Sequence, residues 1–168
     1  KIHSIIAEQF GRIFRKEIDR LLLLCPPQHG KSTLASKRAP AMALGLDPTW
    51  DILAGSATAP LAEEFGGAVR NCIASPEYRL LYPETVLAED SQARGRWMTS
   101  HGGGYYGFGI GTAVMGRGGN FGLIDDPFAT WADAQSEGRR NQVRGWYRGT
   151  LYNRLRPGGP IVVIRHRP

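Results

Sequence analysis

Residues 21 to 24 are four consecutive leucines, and a few residues beyond them the chain reads Gly30-Lys31-Ser32-Thr33. An apolar run this short, bounded by Arg20 and Cys25, predicts a strand buried on both faces, as in a parallel sheet. Ser32 to about Leu44 reads as a helix, ended by Gly45-Leu46-Asp47-Pro48. Strand, glycine turn and helix in that order make backbone N–H groups and a positive helix N-terminus converge on one point, which is what a phosphate needs. The general phosphate-loop pattern G-x-x-x-x-G-K-[ST] asks for glycine five residues before Gly30, and that position is Cys25. A strand-to-helix turn with an incidental Gly-Lys-Ser is the competing reading.

Further along, a second buried strand, Phe121-Gly122-Leu123-Ile124, delivers Asp125 and Asp126 at its end. In open α/β sheets ligands bind at that edge. Paired acids opposite a phosphate loop suit nucleotide hydrolysis: one holds Mg²⁺ through water, the other orients or activates the attacking water. Asp125 is assigned to the metal with Ser32, and Asp126 to the water. Lys31 would reach the β/γ-phosphates as a point charge, with Thr33 as a second hydroxyl close by. The alternative for the acids is a helix cap with Asp126-Pro127 at a turn.

The remaining pattern supports an α/β domain. Residues 4 to 20 carry Ile5, Ile6, Phe10, Ile13, Phe14 and Ile18 at helical spacing. Asp51 to Ala57 is a strand candidate, and Pro60 suits the first turn of a helix running to about Ala74. From Pro76 to Gly122 the pattern predicts short strands and loops rather than helix, with eleven glycines between Gly95 and Gly122. Thr130 and Asp133 have capping-box spacing for a helix to about Leu155, and Ile161 to Arg165 is a final strand. Strands alternating with helices imply a mostly parallel central sheet flanked by helices. At 168 residues the chain is read as one domain, and its start at Lys1 and its stop after a strand as a piece of a longer protein.

Charge is unevenly placed. Residues 139 to 168 hold eight arginines and no acid, whereas residues 1 to 138 hold 13 Lys/Arg against 15 Asp/Glu. That asymmetry fits a polyanionic partner such as nucleic acid, and equally a solvated basic face. Two cysteines, Cys25 and Cys72, make no disulfide framework, so a reducing, intracellular setting is expected. No apolar run approaches the roughly 18 residues of a membrane span, which predicts a soluble protein with no membrane partner.

With loop and acids in hand, the sequence resembles the N-terminal ATPase domain of the large terminase subunit of tailed bacteriophages. The resemblance rests on four ordered blocks: "PPQHGKST", "LGLDPTWDILAGSATAPLAEEFGGAVRN", "GRWMTSHGGGYYGFGIGTAVMGRGGNFGLIDDP" and "RGWYRGTLYNRLRPGGPIVVIRHR". It runs from about residue 20 to the end. It implies an α/β P-loop NTPase fold of the additional-strand class, ATP and Mg²⁺ as ligands, and a loop in which Cys25 is tolerated variation. The nucleotide-binding candidates are then Pro27, Gln28, His29, Gly30, Lys31, Ser32 and Thr33. It further implies translocation of double-stranded viral DNA into a procapsid, a homo-oligomeric ring on a portal protein, a small terminase subunit as partner, and action in the host cell cytoplasm. Residues 1–168 would be a single ATPase domain, without the nuclease domain that normally follows in the family.

Some positions depart from that pattern. Asp126 stands where many P-loop motors have Glu. His166 stands where the family commonly has a Thr thought to sense nucleotide, which leaves coupling open. Arg117, flanked by glycines, is the favoured arginine finger, against a surface ion pair as the alternative; Arg38 and Arg70 are weaker candidates. His29 is read as a polar spacer, and Trp97, Tyr105, Tyr106 and Phe108 as core or interface rather than base platforms. Arg140, Arg144 and Arg148 fall along one helix face, open to DNA, solvent or a neighbouring subunit. A helicase-like or repair ATPase and a non-catalytic assembly module remain the alternatives for function.

Overall fold

The computed structural model describes residues 2–26, 28–90, 93–114, 116 and 118–166. Six strands form one sheet in the order β1-β6-β5-β2-β4-β3: β1 (Arg20–Cys25), β2 (Asp51–Ser56), β3 (Arg96–Met98), β4 (Gly104–Gly109), β5 (Phe121–Asp125) and β6 (Ile161–His166). Every pairing is parallel except β3 with β4. The register sets Cys25 beside His166, Asp125 beside Ile164 and Ser56 beside Asp125. The ends of the phosphate-loop strand, the final strand and the acidic strand therefore share one edge.

Helices cover the two faces. On one, α1 (Ile2–Phe14), α2 (Ala39–Leu46), α3 (Ala59–Ala74) and α4 (Pro76–Leu81) bury Ile6, Phe10, Ile13, Leu44 and Val69 against Leu23, Ile52, Phe121, Leu123 and Ile164. On the other, Trp146 of α6 (Glu137–Trp146) and Leu151 beyond it pack on Leu53, Tyr106, Phe108 and Ile124. Ile52 and Leu53, adjacent in β2, enter different cores, as the period of a strand requires.

Four expectations are corrected. The first helix ends at Phe14 rather than near residue 20, because Lys16 takes a left-handed backbone (φ 61°) and Glu17 N–H returns to Arg12 C=O at 2.9 Å. That closure ends the helix. A helix, α4, lies in the stretch read as strands and loops. Ser75 caps it by accepting from Tyr78 N–H, and Pro76 opens it, so local N-terminal chemistry overrides the glycine-rich surroundings. The helix after the acids is divided: Thr130 and Asp133 form the expected capping box of α5 (Trp131–Gln135), but Ser136 turns extended and caps α6. Finally, β1 is an edge strand. Among the described residues it pairs with β6 alone, and Leu22 and Leu24, on the face opposite the buried Leu23, are 59% and 52% exposed.

The aromatics of the glycine-rich stretch are core. Trp97 stacks on Tyr105 with ring centroids 5.7 Å apart, both are buried, and Trp97 Nε1 donates to Gly66 C=O at 2.9 Å. Gly66 permits this approach of α3 to β4, since a Cβ there would lie 2.4 Å from Arg94 C=O and 2.6 Å from Tyr105. Gly66→Ala should therefore destabilise the fold by about 1–3 kcal/mol, the usual cost of overpacking. Thermal unfolding should show this as a loss of roughly 2–4 °C per kcal/mol.

Candidate functional site

Between β1 and the following helix the backbone curls through two left-handed positions, Gln28 (φ 61°) and Gly30 (φ 72°). Leu34 N–H then bonds Gly30 C=O at 3.1 Å and starts the helix. Cys25 is still extended in β1 and is 3% exposed. The left-handed turns come only after it, so this loop makes no demand for glycine at its entrance. Pro27 lies outside the described residues. Gln28, His29 and Thr33 are exposed on the loop and helix start. From α1, His3 Nε2 lies 3.0 Å from His29 C=O, and the same ring nitrogen would be 3.0 Å from a Cβ on Gly30. The first helix is thereby fastened to the loop through a contact that sequence spacing does not reveal.

The helix opens with a π-helical segment, Thr33–Arg38, before α2. Such wide turns recur at functional sites. Within it Ser36, fully buried, donates its hydroxyl to Asp125 Oδ2. Ser32, one turn earlier, faces the same carboxyl group. Burial pushes the Asp125 pKa up, the hydroxyls of Ser36 and Ser32 pull it down, and the neighbouring Asp126 charge adds to the rise while Lys31 opposes it. The other oxygen, Asp125 Oδ1, is buried and has no hydrogen-bond partner among the described residues. An orphaned carboxylate oxygen beside serine hydroxyls is a hard, oxygen-only donor set of the kind a small divalent cation takes. Ser36 was not singled out in the sequence, although its four-residue spacing from Ser32 was the available signal.

Asp126 points elsewhere. Its backbone is left-handed (φ 43°), a conformation Asp tolerates better than most residues. Asp126 Oδ2 pairs with Lys31 Nζ at 2.8 Å, and Lys31 is only 4% exposed. His166 supplies two more contacts: its backbone N–H donates to Asp126 Oδ1 at 3.0 Å, and its Nε2 lies 2.9 Å from Asp126 Oδ2. Lys31, Ser32, Asp125 and Asp126, named from sequence, thus converge at the edge where three parallel strands end.

The arginines are more dispersed. Arg117 lies outside the described residues. Arg38 donates to Cys72 Sγ at 3.0 Å and Arg70 to Ala93 C=O at 3.3 Å, so both have partners within the chain. On α6, Arg140 reaches back to Ala134 and Gln135 carbonyls at 3.0 and 2.5 Å, and Arg144 donates to Asn141 at 3.2 Å. Arg144 and Arg148 are exposed. A separate apolar cleft of about 330 Å³, lined by Phe10, Met42, Tyr78 and Leu81 among others, lies between α1, α2 and α4 and contains neither acid. Among the described residues no helix is long and apolar enough to cross a membrane.

No protein-family model and no curated protein sequence matches the chain. Solved structures do. The large terminase ATPase domain of Thermus phage P74-26 superposes with a TM-score of 0.51 at 18% identity, over 87% of this chain and 58% of that one. A mutant of the same domain gives 0.52 at 16% identity over the same shares. The large terminase of bacteriophage HK97 gives 0.53 at 11% identity, over 88% of this chain and 29% of that one. The fold is the α/β P-loop NTPase fold of these ATPase domains, and the chain spans little more than half the length of the P74-26 domain.

The buried acid has a stability signature. With its pKa raised, folded Asp125 binds its proton more tightly than the unfolded chain does. Its contribution is therefore most favourable below the ordinary carboxylate range and is lost as pH rises through the raised value. In chelator-treated protein, Asp125→Asn should match the parent near pH 4 and melt higher than it at neutral pH. A gain of about 1 kcal/mol would appear as roughly 2–4 °C by calorimetry.

Proposed function

We propose that this chain is an ATP-hydrolysing domain, residues 1–168, of a motor that moves double-stranded viral DNA into a procapsid. The observation that carries the reading is the meeting of Lys31, Asp125 and Asp126 at the mouth of a strand–loop–helix, on a fold shared with terminase ATPase domains. The loop from Pro27 to Thr33 receives the phosphates, its N–H groups and the helix N-terminus supplying positive potential. Phosphate exchanges with Asp126 as the anionic partner of Lys31, which frees the acid beside the incoming water. Asp126 then orients that water and takes up its proton as the phosphoryl group is transferred. Ser32 and Asp125 Oδ1 would hold Mg²⁺, whose chemistry there is to neutralise charge on the phosphate oxygens.

Arg117 is the residue we assign as the finger, supplied to a neighbour's site within a homo-oligomeric ring. The partners in this reading are double-stranded DNA, a portal protein and a small terminase subunit, with action in the host cell cytoplasm. The exposed Arg144 and Arg148 give the basic C-terminal part of the chain a surface suited to phosphates.

Phosphate release measured across protein concentration, with and without double-stranded DNA, tests the reading. A steep rise with concentration is expected for a ring-completed site. Lys31→Ala and Asp126→Asn should each lower the rate about 100-fold or more, since each removes a group that stabilises or aligns the transferring phosphoryl. A parent that releases no phosphate at any concentration overturns the proposal. For the DNA surface, Arg144→Ala should reduce the salt dependence of DNA affinity by about one counterion, and an unchanged salt slope removes Arg144 from it.

A further inference from the structure

We infer that His166 is the positioning residue for Asp126, holding the carboxylate in one plane while Lys31 is engaged elsewhere. The inference rests on the hydrolase reading above. Among the described residues the Asp126 carboxylate receives three contacts, and two come from His166: the backbone N–H on Oδ1 at 3.0 Å and Nε2 on Oδ2 at 2.9 Å. One residue therefore grips both oxygens. The third contact, Lys31 Nζ at 2.8 Å on Oδ2, is the one that an incoming phosphate withdraws.

A carboxylate that loses Lys31 would turn about its side-chain torsions unless another donor fixed it. A two-point grip from a neighbouring strand end fixes the plane as well as the distance. The grip is built by pairing: β6 lies beside β5, Asp126 N–H bonds Ile164 C=O at 2.9 Å, and this brings residue 166 opposite the acid. Next to it, the Arg165 guanidinium stands 5.3 Å from the Phe128 ring centroid and secures the strand end to the segment after the acids. His166 is half exposed, so its ring is not a packing element. Its side chain meets the acid, and its action on the reaction passes through Asp126.

The ring and the backbone can be separated by substitution, because the N–H survives in any variant except proline. His166→Ala should lower kcat for ATP about 10-fold while KM and the affinity for a fluorescent ATP analogue stay within about twofold, a split that marks loss of alignment rather than of binding. His166→Gln, whose amide nitrogen can occupy the place of Nε2, should recover most of the loss. In the nucleotide-free parent, long-range ¹H–¹⁵N spectra of the imidazole should show Nε2 carrying the proton toward Asp126, and Asp126→Asn should shift that signal. An active parent whose His166→Ala variant keeps its kcat, or gains in kcat, overturns the inference and leaves the hydrolase reading intact. So does a histidine signal indifferent to Asp126→Asn. A parent silent at every protein concentration sinks the hydrolase reading instead, and the inference with it.

Discussion

The ion pair between Lys31 and Asp126 is the contact through which the loop, the acidic strand and the final strand are tied together. Lys31 is almost wholly buried, at 4% exposure. Removing the partner of a buried charge costs about 3–5 kcal/mol, far more than an exposed pair contributes. With Lys31 held by Asp126 Oδ2, the loop is anchored to the end of β5, and with His166 on the same carboxylate it is anchored to β6 as well. Loop, acidic strand and final strand are thus joined through one carboxylate of the chain itself.

Two adjacent acids could not both serve one site if the strand simply continued. Consecutive strand residues point to opposite faces, and Asp125 is committed to the serine side, where Ser36 takes one oxygen and the other has no hydrogen-bond partner among the described residues. The left-handed backbone at Asp126 breaks the alternation and turns the second carboxylate toward Lys31. The two environments then differ in kind: burial disfavours the charge of Asp125, whereas Asp126 is surrounded by donors. In the function proposed above, Asp125 would serve a cation and Asp126 a proton, and what separates the two carboxylates is backbone conformation and not residue type.

Local signals are legible in the sequence where their physics is local. The capping box of Thr130 and Asp133, Pro60 in the first turn of α3, and the strands 51–56, 121–125 and 161–166 all lie where spacing and end chemistry put them. Local chemistry also explains two of the misreadings, because Ser75-Pro76 and Ser136 are helix caps inside stretches whose wider composition pointed elsewhere. The exposure of β1 is a misreading of another sort. Four leucines look alike in sequence, yet Leu23 is 9% exposed and Leu22 59%. The difference depends on which strands and helices lie alongside, and the chain segment itself carries no information about that.

By itself the sequence determined that a strand would deliver a Gly-Lys-Ser turn to a helix and that a second strand would end in two acids, because periodicity and turn chemistry act over a few residues. It also carried the block order by which the chain resembles terminase ATPase domains. Tertiary structure alone decided the partnerships: Ser36 with Asp125 across 89 residues, Lys31 with Asp126 across 95, and His166 with Asp126 across 40. Those contacts follow from strand order and register, which are fixed when the whole sheet and its two cores close at once. His166 shows the difference most directly, since in sequence it is a departure from a family pattern and in the fold it contacts both oxygens of the acid.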